Sequence, residues 1–496
     1  MGSERKLVRG LSRREILRYG LYGGLAAGLS PSLWLSGCGK QWRGRRPNVL
    51  LIVLDTARAD RFSCMGYRRQ TSPNIDLMAA EGTIYERACS TCCWTLPSHG
   101  SLFTGLYPTQ AGATSETLQL PFFNMVLAGA LKKAGYDTAA FSCNSWVSKE
   151  RGFAQGFDEF HEMWRRENRP DVTQSQGPVE LTTTERVTCW IEQRKAVKKP
   201  FYVFINLNCV HLPYQPPEPF LSRFVGNRGY NNEEVNRVAV VKSCWAYLGG
   251  EIKLSERDFR IMSDLYDGEV AFADQCVGQI VERLRDSGIL DDTVVIVTSD
   301  HGENLGEHGR IDHMLSMYET TLHIPLFIRY PEQFRGGTKI DDLVSLVDIA
   351  PTILDLCGVQ DGMEKLKPSE TSLARDDRPH RAFVVAGNER PLTGIALMKD
   401  RYPSFDTSTI NYRMRAIRTD PYKLICSIGV GMELFDLQTD PGELHDLADT
   451  RVQARDKLHK MLTDWMNRVP SAGDISLLES RDKESLEILR SLGYVE

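Results

Sequence analysis

The sequence lacks several features that would assign it to a familiar class of proteins. Its 496 residues contain no internal repeat and carry a formal net charge of −5, without the basic excess typical of nucleic-acid-binding proteins. Its long uncharged run, Tyr19 to Leu35, is rich in glycine and has about 17 residues, whereas a membrane-spanning helix needs about 20 apolar ones. The remaining composition, 42% hydrophobic and 25% charged, is ordinary for a globular protein. We therefore expect neither a multi-span membrane protein nor nucleic acid as a partner.

The first 37 residues resemble an export signal. Arg13-Arg14 is followed by the apolar pair Ile16-Leu17, by the uncharged run and then by Leu35-Ser36-Gly37-Cys38. This order is typical of a bacterial twin-arginine signal joined to a lipoprotein signal. We expect residues 1–37 to be removed and Cys38 to carry lipid, with residues 38–47 as a tether. The protein would then cross through the twin-arginine export machinery and be anchored in the membrane, in the periplasm or cell envelope. A retained N-terminal membrane helix is the alternative.

The cysteine pattern does not define a metal site. Eleven cysteines remain beside Cys38, an odd number, so at least one stays unpaired, and the sequence cannot give the pairing. Cys89, Cys92 and Cys93 lie close together, but no second Cys/His pair follows at zinc-site spacing. Small buried residues or a disulfide are the favoured interpretations of this cluster.

Continuous apolar runs alternate with helical patterns in the middle of the chain. Such runs are typical of strands buried on both faces of a parallel sheet. They occupy Asn48–Leu54, Thr138–Ser142, Phe201–Leu207, Thr293–Thr298 and Ile324–Tyr330. Between them, apolar residues recur at three- and four-residue steps in Phe122–Lys133, Leu181–Lys195 and Phe259–Leu284. The alternation predicts an α/β fold in which helices sandwich a large, mostly parallel sheet.

The last quarter of the chain has a different pattern. Short strand-like segments follow one another without long helices, and one helical segment ends the series near residues 455–466. The strand-like segments are Ala382–Ala386, Met414–Arg418, Tyr422–Ser427 and Met432–Leu437. We predict a catalytic domain over residues 48–380 and a smaller antiparallel-sheet subdomain over residues 381–496.

Polar residues that can bind a metal follow several of the predicted strands. Asp55 follows the first strand, Asn206 and Asn208 end another, and Asp300-His301 follow a third. Because ligands in open α/β sheets bind beyond the carboxyl ends of strands, these side chains could converge although they are far apart in sequence. Carboxylates and a neutral imidazole are good ligands for a divalent metal.

A threonine lies at the start of another predicted helix. In the segment Trp94 to Gly105, Pro97 suits a first helical turn and Gly105 suits its end. Thr95 would then lie at the helix N-terminus, where unpaired amide groups and the helix dipole favour an anion. A metal-activated threonine oxygen is such an anion. On its own the threonine could equally be a helix cap, and the groups around it favour the nucleophile.

Taken together, these motifs resemble the sulfatase family of the alkaline phosphatase superfamily. The resemblance covers nearly all of residues 47–496. It rests on the first strand with Asp55, Ser72-Pro73-Asn74-Ile75-Asp76, the Thr95 helix, residues 150–158, His211-Leu212-Pro213-Tyr214, Asp300-His301-Gly302 and Glu433-Leu434-Phe435-Asp436-Leu437. It implies the fold of that superfamily and an activity on anionic esters.

The resemblance also implies roles for single residues. Thr95 falls where the family keeps its nucleophile, and Asp55, Asp300 and His301 fall where it keeps metal ligands, so that these four would hold one divalent ion. His211 and His313 fall where the family binds the anionic substrate or protonates its leaving group. Three further residues are expected to assist: His99 in catalysis, and Tyr214 and Asn144 in substrate binding.

Departures from the family pattern bear on the reaction. True sulfatases place a cysteine or serine two residues before the motif proline and oxidise it to formylglycine, whereas Thr95 cannot form that aldehyde. The following arginine is replaced by His99, a second metal carboxylate by Thr56, and a lysine by His313. A threonine nucleophile is the one used by the phosphoester-cleaving branches of the superfamily.

The sequence thus predicts a metal-dependent hydrolase of phosphoesters, with phosphodiesters or phosphonate esters favoured and Thr95 as nucleophile. Zinc or manganese is favoured over calcium as the ion, a second metal is left open, and no formylglycine is expected. Three alternatives remain. They are a sulfuric ester hydrolase of the arylsulfatase type, a phospho-group transferase acting on envelope glycans or lipids, and a glycan-binding pseudo-sulfatase without turnover.

Overall fold

The computed structural model describes residues 46–469 except 123–124, 166, 168–176, 239, 360–370 and 404. The predicted signal and lipid-bearing Cys38 lie outside these residues. In the described part the strands are β1 Asn48–Leu54, β2 Thr83–Cys89, β3 Asp137–Ser142, β4 Glu159–Glu162, β5 Phe201–Leu207, β6 Thr293–Thr298, β7 Asn304–Leu305, β8 Ile311–Asp312, β9 His323–Ile324, β10 Leu326–Arg329, β11 Thr338–Ser345, β12 Val384–Asn388, β13 Met414–Arg418, β14 Tyr422–Ser427 and β15 Gly431–Asp436.

The helices of the described residues are α1 Pro73–Ala80, α2 Thr95–Thr104, α3 Pro108–Ala111, α4 Leu127–Lys133, α5 Val179–Arg194, α6 Asn232–Val238, α7 Val241–Leu248, α8 Glu256–Asp286, α9 Glu319–Leu322, α10 Ile349–Leu356, α11 Leu392–Arg401 and α12 Val452–Arg468. The longest of them, α8, packs against α1, α5 and α6, while α2 packs against α3, α4 and α10. No helix in this part of the chain combines the length and the apolar character needed to cross a bilayer.

The large sheet has the strand order β11-β2-β10-β6-β1-β5-β3-β4, with β9 paired to β2. The neighbours β6, β1, β5, β3 and β4 run parallel, and β10 is antiparallel to β6 and β2. Every residue of β1, β5 and β6 is buried, as expected of strands covered on both faces. The predicted α/β sandwich with a mostly parallel sheet is therefore confirmed.

A second sheet, β12-β13-β14-β15, is wholly antiparallel and forms the predicted C-terminal layer. Its residues alternate between two cores. On one face, Ile417 and Leu424 pack with Leu458 and Leu462 of α12. On the other face, Ala416 and Ile425, each the sequence neighbour of one of these, join the main core. The division at residue 381 stays a prediction.

Three strands of the large sheet were not predicted from the sequence. β2, β4 and β11 contain charged or half-exposed positions, such as Glu86 in β2 and Asp341 in β11, which interrupt the apolar runs that marked the central strands. Other bounds also differ from the prediction, as two examples show. Pro325 separates β9 from β10, since proline has no N–H to donate, and the helix predicted from Phe122 begins at Leu127. All eleven described cysteines are free thiols.

Candidate active site

Four adjacent strands bring their carboxyl-terminal residues to one edge of the large sheet. Asp55 follows β1, Asn206 lies near the end of β5, Asn144 follows β3, and Asp300-His301 follow β6. Each of these five residues is fully buried. The convergence predicted from the strand ends is thus present, although Asp55 and Asp300 are 245 positions apart in the chain.

His301 has a defined ring orientation. Its Nδ1 lies 2.9 Å from the carbonyl oxygen of Gly302, so Nδ1–H donates there and Nε2 is the nitrogen that faces the carboxylates. Nε2 lies 3.2 Å from Oδ2 of Asp300 and 3.8 Å from Oδ1 of Asp55. Burial alone would lower the pKa of His301, but the two carboxylates raise it to about 10. The surroundings therefore favour a positive charge at this place.

Gly302 permits the close approach that seats this loop. Its N–H donates to the carbonyl oxygen of Thr321 at 2.8 Å, and a Cβ added at Gly302 would lie 2.1 Å from the carbonyl oxygen of Thr320. Any side chain here would push the loop away from α9 and displace the neighbouring His301.

The two aspartates are each held through one oxygen. Oδ1 of Asp300 accepts from the backbone N–H groups of His301 and Thr56, at 3.0 and 3.3 Å. Oδ2 of Asp55 accepts from the side-chain amides of Asn144 and Asn206, at 2.8 and 3.1 Å. The remaining oxygens, Oδ2 of Asp300 and Oδ1 of Asp55, are buried and accept no hydrogen bond within the described chain.

These unsatisfied oxygens fit a cation. A buried carboxylate oxygen without a partner is costly unless it binds a metal or a charged group. One donor atom from each of Asp55, Asp300 and His301 lies within 4.8 Å of the others, and all three residues are buried. Oxygen and imidazole donors in this number suit a divalent metal ion. The residues present therefore match the ligand set that the resemblance implies.

Thr95 completes this group. It is the first residue of α2 and is 2% exposed, and its Oγ1 lies 3.3 Å from Nε2 of His301. The predicted helix is confirmed, with Pro97 in its first turn and Gly105 at its end in the left-handed conformation at φ 66°. Its hydroxyl thus faces the metal-ligand group, at the end of a helix where amide groups and the dipole favour negative charge.

His99 lies behind the ligand oxygens. Its Nδ1 is 3.0 Å from the carbonyl oxygen of Thr95 and 3.3 Å from Oδ2 of Asp300, one turn along α2. Its ring is fully buried and meets three phenylalanine rings at centroid distances of 5.9 to 6.4 Å, those of Phe103, Phe153 and Phe204. This location suits a residue that positions Asp300 and Thr95.

A second buried cluster lies next to the first. β7 and β8 form a hairpin in which Asn304 pairs with Asp312, so that Glu303 and His313 come to lie opposite each other. Oε1 of Glu303 lies 3.1 Å from Nδ1 of His313, and Oδ1 of Asp312 lies 3.4 Å from the same nitrogen. Burial and the charge of Asp312 raise the pKa of Glu303 to about 8. Burial lowers the pKa of His313 to about 4.

Three imidazoles line up beside the metal-ligand group. The rings of His301 and His313 have centroids 4.4 Å apart, and those of His313 and His211 are 5.2 Å apart. Nδ1 of His211 donates to the carbonyl oxygen of Leu212 at 2.6 Å. His313 thus lies between His301 and His211, and the roles of His211 and His313 toward the substrate stay predictions.

The two residues expected to bind substrate differ in their surroundings. Tyr214 is 1% exposed and packs edge-on against Tyr266 at a centroid distance of 5.6 Å. Asn144 donates to Asp55 and to Oδ1 of Asn208, and its own Oδ1 accepts from the N–H of Trp146 at 2.8 Å. The polar atoms of Asn144 are therefore engaged in orienting Asp55.

Two functional candidates were overlooked in the sequence. Glu303 directly follows Asp300-His301-Gly302 and Asp312 directly precedes His313, yet neither was given a role. A sequence pattern could have identified them: Asn304-Leu305 and Ile311-Asp312 flank a turn that contains glycine, and this pattern is typical of a β-hairpin. A hairpin at this point places residue 303 beside residue 313.

Comparison with known proteins agrees with this fold. The protein-family model described as Sulfatase matches residues 47–359. The chain is 26% identical over 458 residues to "Uncharacterized sulfatase YidJ" of Escherichia coli (strain K12), covering 86% of this chain and 88% of that protein. It is also 26% identical over 457 residues to "Arylsulfatase K" of Bos taurus, covering 85% and 82% of the two chains. The crystal structure of the phosphonate monoester hydrolase of Agrobacterium radiobacter superposes with a TM-score of 0.67 at 22% identity, covering 86% and 96%.

Proposed function

This chain belongs to the sulfatase family of hydrolases, and from that premise we propose that it is a metal-dependent enzyme that cleaves phosphoesters in preference to sulfate esters. Phosphodiesters or phosphonate esters are the favoured substrates. The observation that carries the proposal is the placement of a threonine hydroxyl, Oγ1 of Thr95, 3.3 Å from Nε2 of His301 beside two buried carboxylates.

The proposed ligands of the metal ion are Asp55, Thr95, Asp300 and His301. When bound, a divalent ion would supply Lewis acidity that lowers the pKa of the Thr95 hydroxyl and offsets charge on the ester. Zinc or manganese fits two carboxylates, an imidazole and a hydroxyl better than calcium, which prefers six to eight oxygen ligands. Asn144 and Asn206 hold Asp55 through the hydrogen bonds described above, and the backbone N–H groups of His301 and Thr56 hold Asp300.

Thr95 acts as the nucleophile in this proposal. Its Oγ1 forms a bond to phosphorus while the bond from phosphorus to the leaving oxygen breaks, and the hydroxyl proton is released. His211 and His313 lie on the substrate side, and one of them donates a proton to the leaving oxygen. Water then attacks phosphorus, the bond to Oγ1 breaks, and the threonine oxygen regains its proton.

The threonine disfavours the sulfate-ester reaction. A formylglycine hydrate has a second hydroxyl, so its sulfate ester can leave by elimination without attack at sulfur. Thr95 has one hydroxyl, so its sulfate ester would have to be hydrolysed directly, whereas its phosphate ester can be displaced in line by water. The Arylsulfatase K relatives make sulfate esters the second candidate.

We further propose that the protein acts outside the cytoplasm as a lipoprotein held by Cys38. Support comes from the sequence alone, namely the Arg13-Arg14 pair, the uncharged run and the cysteine that follows it.

The test is an assay of one series of aryl esters that share a leaving group: phosphate monoester, phosphodiester, phosphonate ester and sulfate ester. The protein is stripped of metal with a chelator and reloaded with Zn²⁺ or Mn²⁺. We expect the best phosphoester to exceed the sulfate ester at least ~100-fold in kcat/KM, equivalent to about 2.7 kcal/mol of transition-state discrimination. Without added metal, turnover should be lost.

Two variants of α2 make the assay specific for the nucleophile. Thr95→Ala should lose nearly all turnover with the fold intact. Ser101→Ala is the matched control, because Ser101 is buried in the same helix and its hydroxyl has no partner within the described chain. Equal rates on sulfate and phosphoesters would overturn the substrate assignment, and full activity of Thr95→Ala would remove this residue from the mechanism. Transfer to an added alcohol in preference to water would favour the transferase, and no turnover of any ester the pseudo-sulfatase.

A further inference from the structure

The hairpin β7–β8 carries a second set of metal-binding side chains that the proposed reaction does not use as ligands. We propose that Glu303, Asp312 and His313 form a second cation site, for a divalent transition-metal ion, beside the site formed by Asp55, Asp300 and His301. The three residues are buried, and their donor atoms lie within 4.8 Å of one another.

The distances between donor atoms match the edges of a metal coordination polyhedron. Two ligands bound at about 2.1 Å with an angle of 90 to 109° lie roughly 3.0 to 3.4 Å apart. Nδ1 of His313 lies 3.1 Å from Oε1 of Glu303 and 3.4 Å from Oδ1 of Asp312. The hairpin register therefore brings one imidazole nitrogen to such a distance from two carboxylate oxygens, and one donor atom from each of the three residues lies within 4.8 Å of the others.

Glu303 supplies the independent observation that a ligand is missing. Its side chain is fully buried, and its second oxygen, Oε2, has no partner in hydrogen-bonding geometry within the described chain. The neighbouring hydroxyl of Tyr214 lowers the pKa of Glu303 but is likewise buried without a hydrogen bond of that geometry. A buried carboxylate oxygen normally has a donor or a cation. The carboxylate thus offers Oε1 to the cluster and retains an unsatisfied oxygen for a further bond.

The negative charge around the two sites also favours a second cation. One divalent ion would balance the charges of Asp55 and Asp300, while Asp312, together with Glu303 once it has given up its proton to a bound cation, would add further negative charge close to an anionic ester. The ring of His313 lies 4.4 Å from that of His301, so the two sites are adjacent. A second divalent ion would balance this charge and leave the reaction site able to attract an anion.

This arrangement is compatible with contact between His313 and the substrate. Nδ1 is the ring nitrogen that faces Glu303 and Asp312, so Nε2 lies on the opposite edge of the ring. The metal site and the proton transfer proposed above would thus use different nitrogens. The inference depends on the geometry of the hairpin and holds whichever ester is the substrate.

The test counts the Mn²⁺ ions bound per protein chain and does not depend on activity. Chelator-treated protein is dialysed against Mn²⁺, the metal content per chain is measured, and the electron paramagnetic resonance spectrum is recorded. We expect two ions per chain and a spectrum broadened by coupling between neighbouring ions. Glu303→Gln should retain one ion and give the six-line spectrum of an isolated Mn²⁺.

Matched variants separate the two sites. Asp312→Asn removes a second ligand of the proposed site. The fold should be preserved, because asparagine tolerates the positive φ of 71° found at this position. Asp300→Asn should remove the other ion and leave the second. Glu307→Gln is the control, since this nearby glutamate bonds to Arg58 at 2.7 Å outside the cluster. One ion per wild-type chain, or two ions retained in both Glu303→Gln and Asp312→Asn, would overturn the proposal whatever the esterase assay shows.

Discussion

The role of Asn144 gives the sharpest test of how the protein holds its metal. The sequence suggested that this residue binds substrate, whereas in the structure its amide donates to Oδ2 of Asp55 at 2.8 Å. This contact fixes the rotation of the carboxylate, so that Oδ1 is the oxygen left for the metal. Asn144→Ala should therefore weaken metal binding before it affects substrate binding.

The size of the effect follows from the contacts that are lost. A hydrogen bond to a charged group contributes about 1.5–3 kcal/mol, and Asp55 keeps its second donor, Asn206, at 3.1 Å. The carboxylate is then held by one amide where it was held by two. We expect the Kd for Zn²⁺ to rise about 10- to 100-fold, the range found when a residue that orients a metal ligand is removed.

The measurement is a competition titration of Zn²⁺ between the protein and a chelating indicator dye, followed by kinetics at saturating metal. Asn48→Ala is the matched control. Asn48 lies at the opposite end of β1, is 5% exposed, and likewise accepts one backbone N–H, from Phe201 at 3.2 Å. The reasoning would be refuted by an unchanged Kd in Asn144→Ala with a raised KM, or by an equal loss of affinity in Asn48→Ala.

Two further predictions concern stability and location. Burial raises the pKa of Asp274 from 3.8 to about 6 in the folded protein. The unfolded chain therefore loses this proton at a lower pH, so up to about 3 kcal/mol of the free energy of unfolding is present below pH 3.8 and is lost as the pH rises through 6. In urea unfolding of the chelator-treated protein, wild type should lose stability relative to Asp274→Asn between pH 4 and 7, and parallel curves would contradict this. Protein extracted from membranes of its native host should lack residues 1–37 and carry lipid on Cys38 in the mass spectrum. The Cys38→Ala variant should be released from the membrane. An intact, unmodified Met1 would contradict the export signal.

Local sequence was sufficient to predict the central architecture. Strands β1, β3, β5 and β6 are buried on both faces, so successive residues in them are apolar. Such continuous apolar runs can be recognised in the sequence without knowing which strands lie beside them. The helix of Thr95 was equally visible, because Pro97 and Gly105 act through their own backbone preferences. Asp300 and His301 could be identified for the same reason, since they directly follow a strand.

What only the tertiary structure decided is the partner of each polar side chain. Asn144 and Asp55 are 89 positions apart, and Thr95 and His301 are 206 apart, so no local pattern records that these pairs meet. The pairing of β7 with β8 likewise set Glu303 against His313, which turned an unassigned glutamate into part of a second cluster. Hydrogen bonds and metal ligands depend on distances of a few ångströms, and the sheet sets these distances by aligning strand ends from remote parts of the chain. The sequence alone therefore determined which chemical groups are available and on which elements they stand, and the fold decided which of them act together.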